Sequence, residues 1–395
     1  MIYRHFLLLA CAALALGEYV AACAPSWSET WPVVAFALVF VVLFGYAWNV
    51  RAWPFLALAL LGVLLFFVSS LESEREYRDS PWLRDARRRV PVEEADSPLA
   101  PARRDFARRA SLGIEHDREL VQLNRAILLG QRAKLPPKLK RTFVESGTIH
   151  VFAISGLHVM GVAHVLTILL RCLFVPRRFV GVVAVPILWA YVALIGAPPS
   201  AVRAAVMATL TCLAPLFWRR PDGVVAWALT YLGVHLLHPQ MIVNVGCALS
   251  FAVMLSILVA CDCLSERKEG WVKTLLVTTV AWAAGVPIAA HVFGRITPGG
   301  ILANLALIPT AVVTVYAGAT GLIASFVSET LAAHLNALSG LFTRAMVVLS
   351  DGVSRLPGAN LEVPNWSVAI CVEWYGVLAL VLVLRALLRS RRLQF

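Results

Sequence analysis

Long apolar runs recur along almost the whole chain, each near the ~20 residues an α-helix needs to cross the hydrocarbon core of a bilayer. They fall at about 5–22, 31–50, 53–70, 149–170, 179–196, 201–218, 223–238, 241–260, 273–293, 300–325, 331–354 and 367–388. The runs lack the in-and-out alternation over ~10 residues that marks a strand of a membrane barrel. The pattern predicts an all-α polytopic helical bundle of about eleven or twelve transmembrane helices. Residues 331–354 carry Asn336, Arg344 and Asp351 and fit either a span or a helix lying along the interface. The late runs are interrupted by Gly285-Val286-Pro287, by Thr297-Pro298-Gly299-Gly300 and by Pro309. Broken helices are therefore expected in the core, and the backbone groups they free need a cavity or a partner.

One long polar segment, Leu71 to about Ser146, divides the runs. It holds seventeen basic and thirteen acidic residues and predicts a solvated loop with one amphipathic helix near 104–130. Its arginines at 84, 87, 88, 89, 103, 104, 108 and 109 fit either that solvated face or a collar attracting polyanions. Charge also orients the chain. With the N-terminus inside, the inside loops carry Arg4, Arg51, Arg171, Arg177, Arg178, Arg219, Arg220, Arg267, Lys268 and Lys273. Arg385, Arg389, Arg391 and Arg392 follow in the tail, against only Arg203, Arg295 and Arg355 in the short outside loops. Both termini are expected inside, and the 71–146 loop outside.

Only 15% of the residues are charged and 59% are hydrophobic, against about 25% charged in a soluble domain, so a soluble globular class is excluded. The net charge of +12 is mostly a record of topology. At the N-terminus, Val20-Ala21-Ala22-Cys23 has the form of a lipoprotein cleavage box, but Glu18 and the spans that follow at once predict an uncleaved first helix. The eight cysteines form no C-x-x-C pair and predict neither a disulfide framework nor a zinc site. His235 and His238 offer two metal ligands without a third. No metal or cofactor is expected, and no phosphate-binding P-loop occurs in the sequence.

The chemistry concentrates in Ser146–Leu170, which is apolar enough to enter a bilayer yet carries His150, Ser155, Gly156, His158, Gly161 and His164. Polar groups in hydrocarbon are costly and are functional candidates by default. Ser155 and His158 lie three residues apart, on nearly one helix face. They fit either a polar path or a hydroxyl bonded to its own backbone beside a histidine satisfied by a neighbouring helix. Hydrolysis by this pair is disfavoured, since a Gly-x-Ser-x-Gly elbow is missing. Arg203, three residues after Ser200 and just beyond Pro198-Pro199, fits either outward snorkelling or an anion path that also uses the helix N-terminus. Asn304 can line a pore or bond across helices. Glu373 sits within the last run, where Arg344 is one available partner.

Leu129-Gly130-Gln131-Arg132, Ser146-Gly147-Thr148-Ile149-His150 and Ala153-Ile154-Ser155-Gly156-Leu157-His158-Val159 resemble the ComEC family of competence DNA-uptake channels. Gly196-Ala197-Pro198-Pro199-Ser200-Ala201-Val202-Arg203-Ala204 resembles that family's Gly-x-x-Pro-Ser-x-x-Arg-Ala segment. His238-Pro239 with Ala248-Leu249-Ser250-Phe251 is similar to its Asp-Pro and Gln-Leu-Ser-Phe segments, with two polar side chains replaced. Gly300-Ile301-Leu302-Ala303-Asn304-Leu305 with Pro309 is similar to its late Asn-Leu-x-x-x-Pro stretch. The resemblance runs over about 125–325. It implies N-terminal helices at 1–70, an external loop at 71–146 where relatives carry an OB-like domain, a channel core at 147–325, and C-terminal helices with a basic tail at 326–395. The metallo-β-lactamase-like domain of many members has no counterpart motif here. By resemblance, the chain would sit in the bacterial inner membrane and conduct single-stranded DNA in transformation. Its path would be lined by Ser155, His158, Arg203, Asn304, Ser200 and His150, with no catalytic residue. An external DNA receptor, a separate nuclease and a cytosolic ATP-driven motor would be partners, besides the lipid bilayer, and the residues leave both a monomer and an oligomer open. A transporter of a small anion or lipid precursor, or a paralogue that no longer transports, stays open on the residues alone.

Overall fold

A computed structural model describes residues 98–131, 136–152, 156–237, 245–263 and 270–367, with short pieces between 370 and 378. The spans expected at 5–22, 31–50 and 53–70, the arginines at 84–89 and most of 367–388 lie outside the described residues. Among those described are eleven α-helices and one two-residue ladder. The polar segment supplies α1 (Ala100–Arg109), α2 (Arg118–Leu129) and α3 (Pro137–Glu145). The membrane series follows as α4 (Gly156–Cys172), α5 (Arg177–Leu194), α6 (Pro199–Leu213), α7 (Gly223–Leu237), α8 (Val245–Cys263) and α9 (Trp271–Phe293). Strand β1 (Arg295–Ile296), α10 (Gly299–Ala324), α11 (Glu329–Ser354) and β2 (Leu361–Glu362) complete it, with β1 and β2 antiparallel. Helices α5, α6 with its 3-10 extension to Phe217, α9, α10 and α11 are long and apolar enough to cross a membrane; α4, α7 and α8 are apolar but shorter.

The chain divides into two compact units, residues 1–97 with 219–248 and residues 98–218 with 249–395. In the first, Asp222 starts α7 by accepting hydrogen bonds from the Val224 and Val225 amides at 2.9 and 3.2 Å. Within α7, Trp227 stacks on Tyr231 with ring centroids 5.4 Å apart.

In the second unit, small residues let the helices close on one another. Helices α4, α5 and α6 meet through Val159, Ala163, Leu188, Val192, Ala201 and Ala205. Leu166 and Leu170 meet Val180 and Ala184 at the other end, so α5 returns antiparallel to α4. A Cβ at Gly181 would stand 2.1 Å from the Cys212 carbonyl oxygen, so only glycine lets α5 and α6 touch there. Helices α10 and α11 form an antiparallel hairpin: Gly321 lies against Leu335 and Asn336, and the Thr314 hydroxyl reaches Met346 Sδ. Helix α11 is thus a packed partner of α10 rather than a helix lying by itself at the interface.

The polar segment departs from its expectation. Instead of one amphipathic helix near 104–130 it makes two, parted at Gly113, whose φ of 82° suits glycine and whose Cα closes on Ala333. Asp117 N-caps α2, accepting from the Leu120 amide at 3.0 Å, and also pairs with Arg344. Arg344 is therefore taken by Asp117 rather than by Glu373, which is exposed. Leu123, Ile127 and Phe143 of α2 and α3 share a core with Leu307, Val315 and Met346 of α10 and α11. The arginines of α1 reach helix ends. Arg103 Nε donates to the Leu194 carbonyl at 2.8 Å, and Arg109 Nη1 to the Ser325 carbonyl at 2.9 Å, capping α5 and α10.

The three expected breaks fare differently. Chain direction changes at Gly294–Pro298, between α9 and α10, whereas Pro287 and Pro309 lie inside continuous helices. Pro287 has no N–H for the Ala283 carbonyl four residues back. The Trp374 indole donates to that carbonyl at 2.9 Å, and the Tyr375 hydroxyl to the next, Ala284, at 2.8 Å.

Gly181→Ala should lower the thermal unfolding midpoint of the detergent-solubilised chain, by the 1–3 kcal/mol typical of overpacking. Gly233→Ala, where an added Cβ meets nothing within 4 Å, should be neutral by the same measurement. A second expectation concerns acid. The Leu120 amide and the Arg344 guanidinium hold the Asp117 carboxyl below its ordinary range. Its contribution is complete above the unfolded-state value near 3.9 and is lost as pH falls through the lower folded value. Hydrogen-exchange protection of α2, corrected for the intrinsic rate, should fall on acidification through that range, and Asp117→Asn should remove the dependence.

Candidate functional site

His158 lies in the first turn of α4 and is 1% exposed. Arg203 lies near the start of α6 and is 5% exposed. The start of α6 is fixed by Pro199 at its first position, after Gly196 and Ala197 at φ 88° and 47°. Ala197 is a non-glycine residue in the left-handed region, so this approach to Arg203 is strained.

Arg203 is not a snorkelling surface arginine. Its Nε lies 3.4 Å from Ser250 Oγ, within donating range, and its Cζ stands 5.7 Å from the centre of the Phe251 ring. The segment 196–204 is thereby joined to the segment 248–251, almost fifty residues away. Gly156 lies beside the same place, since a Cβ added to it would be 3.9 Å from Ala204 Cβ. The stretch 156–159 is therefore the third to arrive there.

A second junction joins 146–150 to the start of α10. Gly147, at φ 74°, is so close to that start that an added Cβ would fall 2.6 Å from Thr297 Oγ1 and 3.4 Å from Gly300 Cα. Around it the hydroxyls of Ser146 and Thr148 are 2.7 Å apart, and that of Thr148 is 3.2 Å from Ser350 Oγ on α11. His150 is exposed, with Nδ1 3.3 Å from the Gly147 carbonyl. Leu157 packs against the cluster of Ala303 and Leu307, which sets the α4 start against α10. Asn304, on the same turn, has a buried Oδ1 that meets no donor among the described residues. Ser200 is half-buried in the first turn of α6. Ser155 and His238 lie outside the described residues.

Of the residues singled out from sequence, Arg203 is tied to a specific pair of partners, and His158 and Asn304 lie at helix starts that pack together. Ser250 and Phe251 were recognised as a motif without being assigned to the site, because a serine and a phenylalanine in an apolar run look like core. The contact of Tyr316 with His164, Oη to Nδ1 at 2.6 Å with the rings edge-on, has no local signal at all. It joins α10 to α4 over 152 positions.

These features define a polytopic helical membrane protein in which separated polar segments meet at two junctions, three at Arg203 and two at Gly147. Residues 127–388, well over half of the chain, match the family described as Competence protein, and the chain belongs to that family, the ComEC family its motifs resemble. It is similar to ComE operon protein 3 of Bacillus subtilis (strain 168), 27% identical over 184 residues, which are 47% of this chain and 24% of that protein. It is also similar to an uncharacterized protein of Aquifex aeolicus (strain VF5), 28% identical over 239 residues, which are 60% of this chain and 55% of that protein. The matched stretches thus span about a quarter of the first relative and just over half of the second. No solved structure matches the chain.

Arg203 should couple energetically to its two partners. In a double-mutant cycle, Arg203→Ala with Ser250→Ala should fall short of additivity by about 0.6 kcal/mol, the usual worth of an interhelical hydrogen bond in a membrane. The cycle with Phe251→Leu should give about 1 kcal/mol for the ring contact. Unfolding in detergent measures both, and strict additivity would refute the junction.

Proposed function

We propose that this chain is the membrane channel component that conducts single-stranded DNA across the inner membrane during natural transformation. The observation that carries the reading is the buried Arg203, held by Ser250 and Phe251 where three family motifs meet. A guanidinium in a low-dielectric surrounding projects its field further than one in water. Together with the α6 amide end, it offers a positive potential to passing phosphates without reading bases. His158, Asn304, Ser155, Ser200 and His150 are the polar groups we assign to the same path. None breaks a covalent bond in this reading.

Helices α4, α6 and α10 run one way and α5 and α11 return, which suits alternate crossing with both chain termini in the cytoplasm. The turns 173–176 and 325–328 then face the cytosol, and the 146–158 region faces the entering strand. An external receptor would deliver DNA, a separate nuclease would produce the single strand, and a cytosolic motor would supply the driving force.

The test is transformation by purified linear DNA in wild type, a deletion strain, and Arg203→Ala and His158→Ala strains at equal membrane abundance. DNA should bind outside in all of them. Entry into the cytosol should be lost on deletion and should fall about tenfold or more in each variant, a change of roughly 1.4 kcal/mol in a limiting step. Normal entry in the deletion strain would overturn DNA conduction and favour transport of a small anion by the same site.

A further inference from the structure

One end of the second unit gathers bulky apolar side chains that the fold leaves in the open. Three helix ends meet there. Val180 and Ala184 at the start of α5 pack on Leu166 and Leu170 at the end of α4, and Ile323 at the end of α10 joins them. The end of α6 is brought alongside by the contact of Gly181 with Cys212. Each helix end presents a large hydrophobe outward: Phe174 after α4 at 93% exposure, Trp218 after α6 at 87%, and Val327 after α10 at 89%. Phe174 and Trp218 have φ of 60° and 56°, two of the three non-glycine residues in the left-handed region among the described residues. Bulky side chains rarely adopt that conformation. Here it turns both rings away from the bundle, where they gain nothing from the protein's own core.

The same end is cationic. Arg171, Arg177 and Arg178 flank the α4–α5 turn and are all exposed. No acidic residue occurs between Val165 and Val180. Two carboxylates near this end, Asp105 and Glu329, are engaged by Arg109 and Arg108 of α1. The Arg178 guanidinium stands 4.7 Å above the Phe179 ring, which holds it beside apolar surface. Four of the helices with an end here, α5, α6, α10 and α11, are long and apolar enough to cross a bilayer, so the patch lies at headgroup depth.

We infer that this face is a binding surface for anionic phospholipid headgroups. Phe174, Trp218 and Val327 would insert at the acyl boundary, and Arg171, Arg177 and Arg178 would hold the phosphates. Aromatic rings favour the interface because one part of them is apolar and another tolerates water, and arginines beside them supply the attraction to anionic lipid. A cytosolic protein docking on an exposed apolar patch would compete for the same surface; the adjoining run of uncompensated arginines on crossing helices favours lipid.

The experiment uses the full chain reconstituted in nanodiscs of phosphatidylcholine doped with a brominated lipid, either phosphatidylglycerol or phosphatidylcholine. Bromine quenches tryptophan at short range, and subtraction of the Trp218→Phe protein isolates the Trp218 signal from the other tryptophans. Brominated phosphatidylglycerol should quench Trp218 more strongly than brominated phosphatidylcholine at equal dose. Each of Arg171→Gln, Arg177→Gln and Arg178→Gln should reduce that preference, by up to about five-fold in lipid affinity. These side chains are exposed, so folding should survive, which an unchanged unfolding midpoint would verify. Equal quenching by the two lipids, absence of Trp218 quenching, or a preference untouched in the triple variant would each overturn the inference. Because the readout is lipid contact, its failure leaves the DNA-conduction reading standing, and the reverse also holds.

Discussion

Inside a bilayer a backbone or side-chain polar group can turn only to the protein itself, and this structure is organised around meeting that demand. The clearest instance is Pro287. Its ring removes the donor for the Ala283 carbonyl, and the Trp374 indole arrives from 91 positions away to replace it. The helix remains continuous because the missing hydrogen bond is supplied from elsewhere in the fold. Arg103 and Arg109 do the same for the last carbonyls of α5 and α10, which no residue within those helices could satisfy. Asn336 extends the rule to a side chain: buried in α11, its Nδ2 donates to the Arg109 and Leu112 carbonyls at 2.8 and 3.2 Å.

The second organising feature is close approach. In lipid, helices gain little from burying apolar surface and must gain from contact. At Gly181, Gly161 and Gly318 an added Cβ would come within 2.8 Å of a neighbouring helix, so those helices sit nearer than any side chain would permit. Gly156, beside Ala204, sets the starts of α4 and α6 side by side, and Gly147 likewise sets the 146–150 stretch against α10. The polar motifs are therefore brought together by glycines and alanines, which carry no chemistry of their own.

The described arginines of the polar segment take structural roles, while those at 84–89 lie outside the described residues. Read along the sequence, they form a cationic collar or a solvated face. In the fold, Arg103, Arg109 and Arg125 donate to backbone carbonyls, Arg125 to that of Ala107 at 3.1 Å, and Arg108 pairs with Glu329. Much of their charge is spent on holding α1 and α2 to the membrane helices. The same arrangement makes α1 and α2 structural components of the bundle.

How much was legible follows from the range of the forces involved. Hydropathy is local and additive, so the sequence by itself determined the membrane class, the apolar helices between 149 and 354 to within a few residues, and the polar positions worth attention. Family motifs added Ser250 and Phe251 as a pattern without a role. Whether a proline ends a helix was not legible: Pro287 stays inside α9 because Trp374 supplies the missing donor, whereas the chain turns at Gly294–Pro298. The partner of Arg344 was not legible either: Glu373 and Asp117 are equal candidates by charge, and only the packing of α2 on α11 chooses Asp117. Tertiary structure likewise decided that Arg203 meets Ser250 and Phe251, because that contact needs α6 and α8 in register across 47 positions. Local pattern sets which groups must be satisfied; only the folded chain, through contacts shorter than 4 Å between distant residues, sets which group satisfies which.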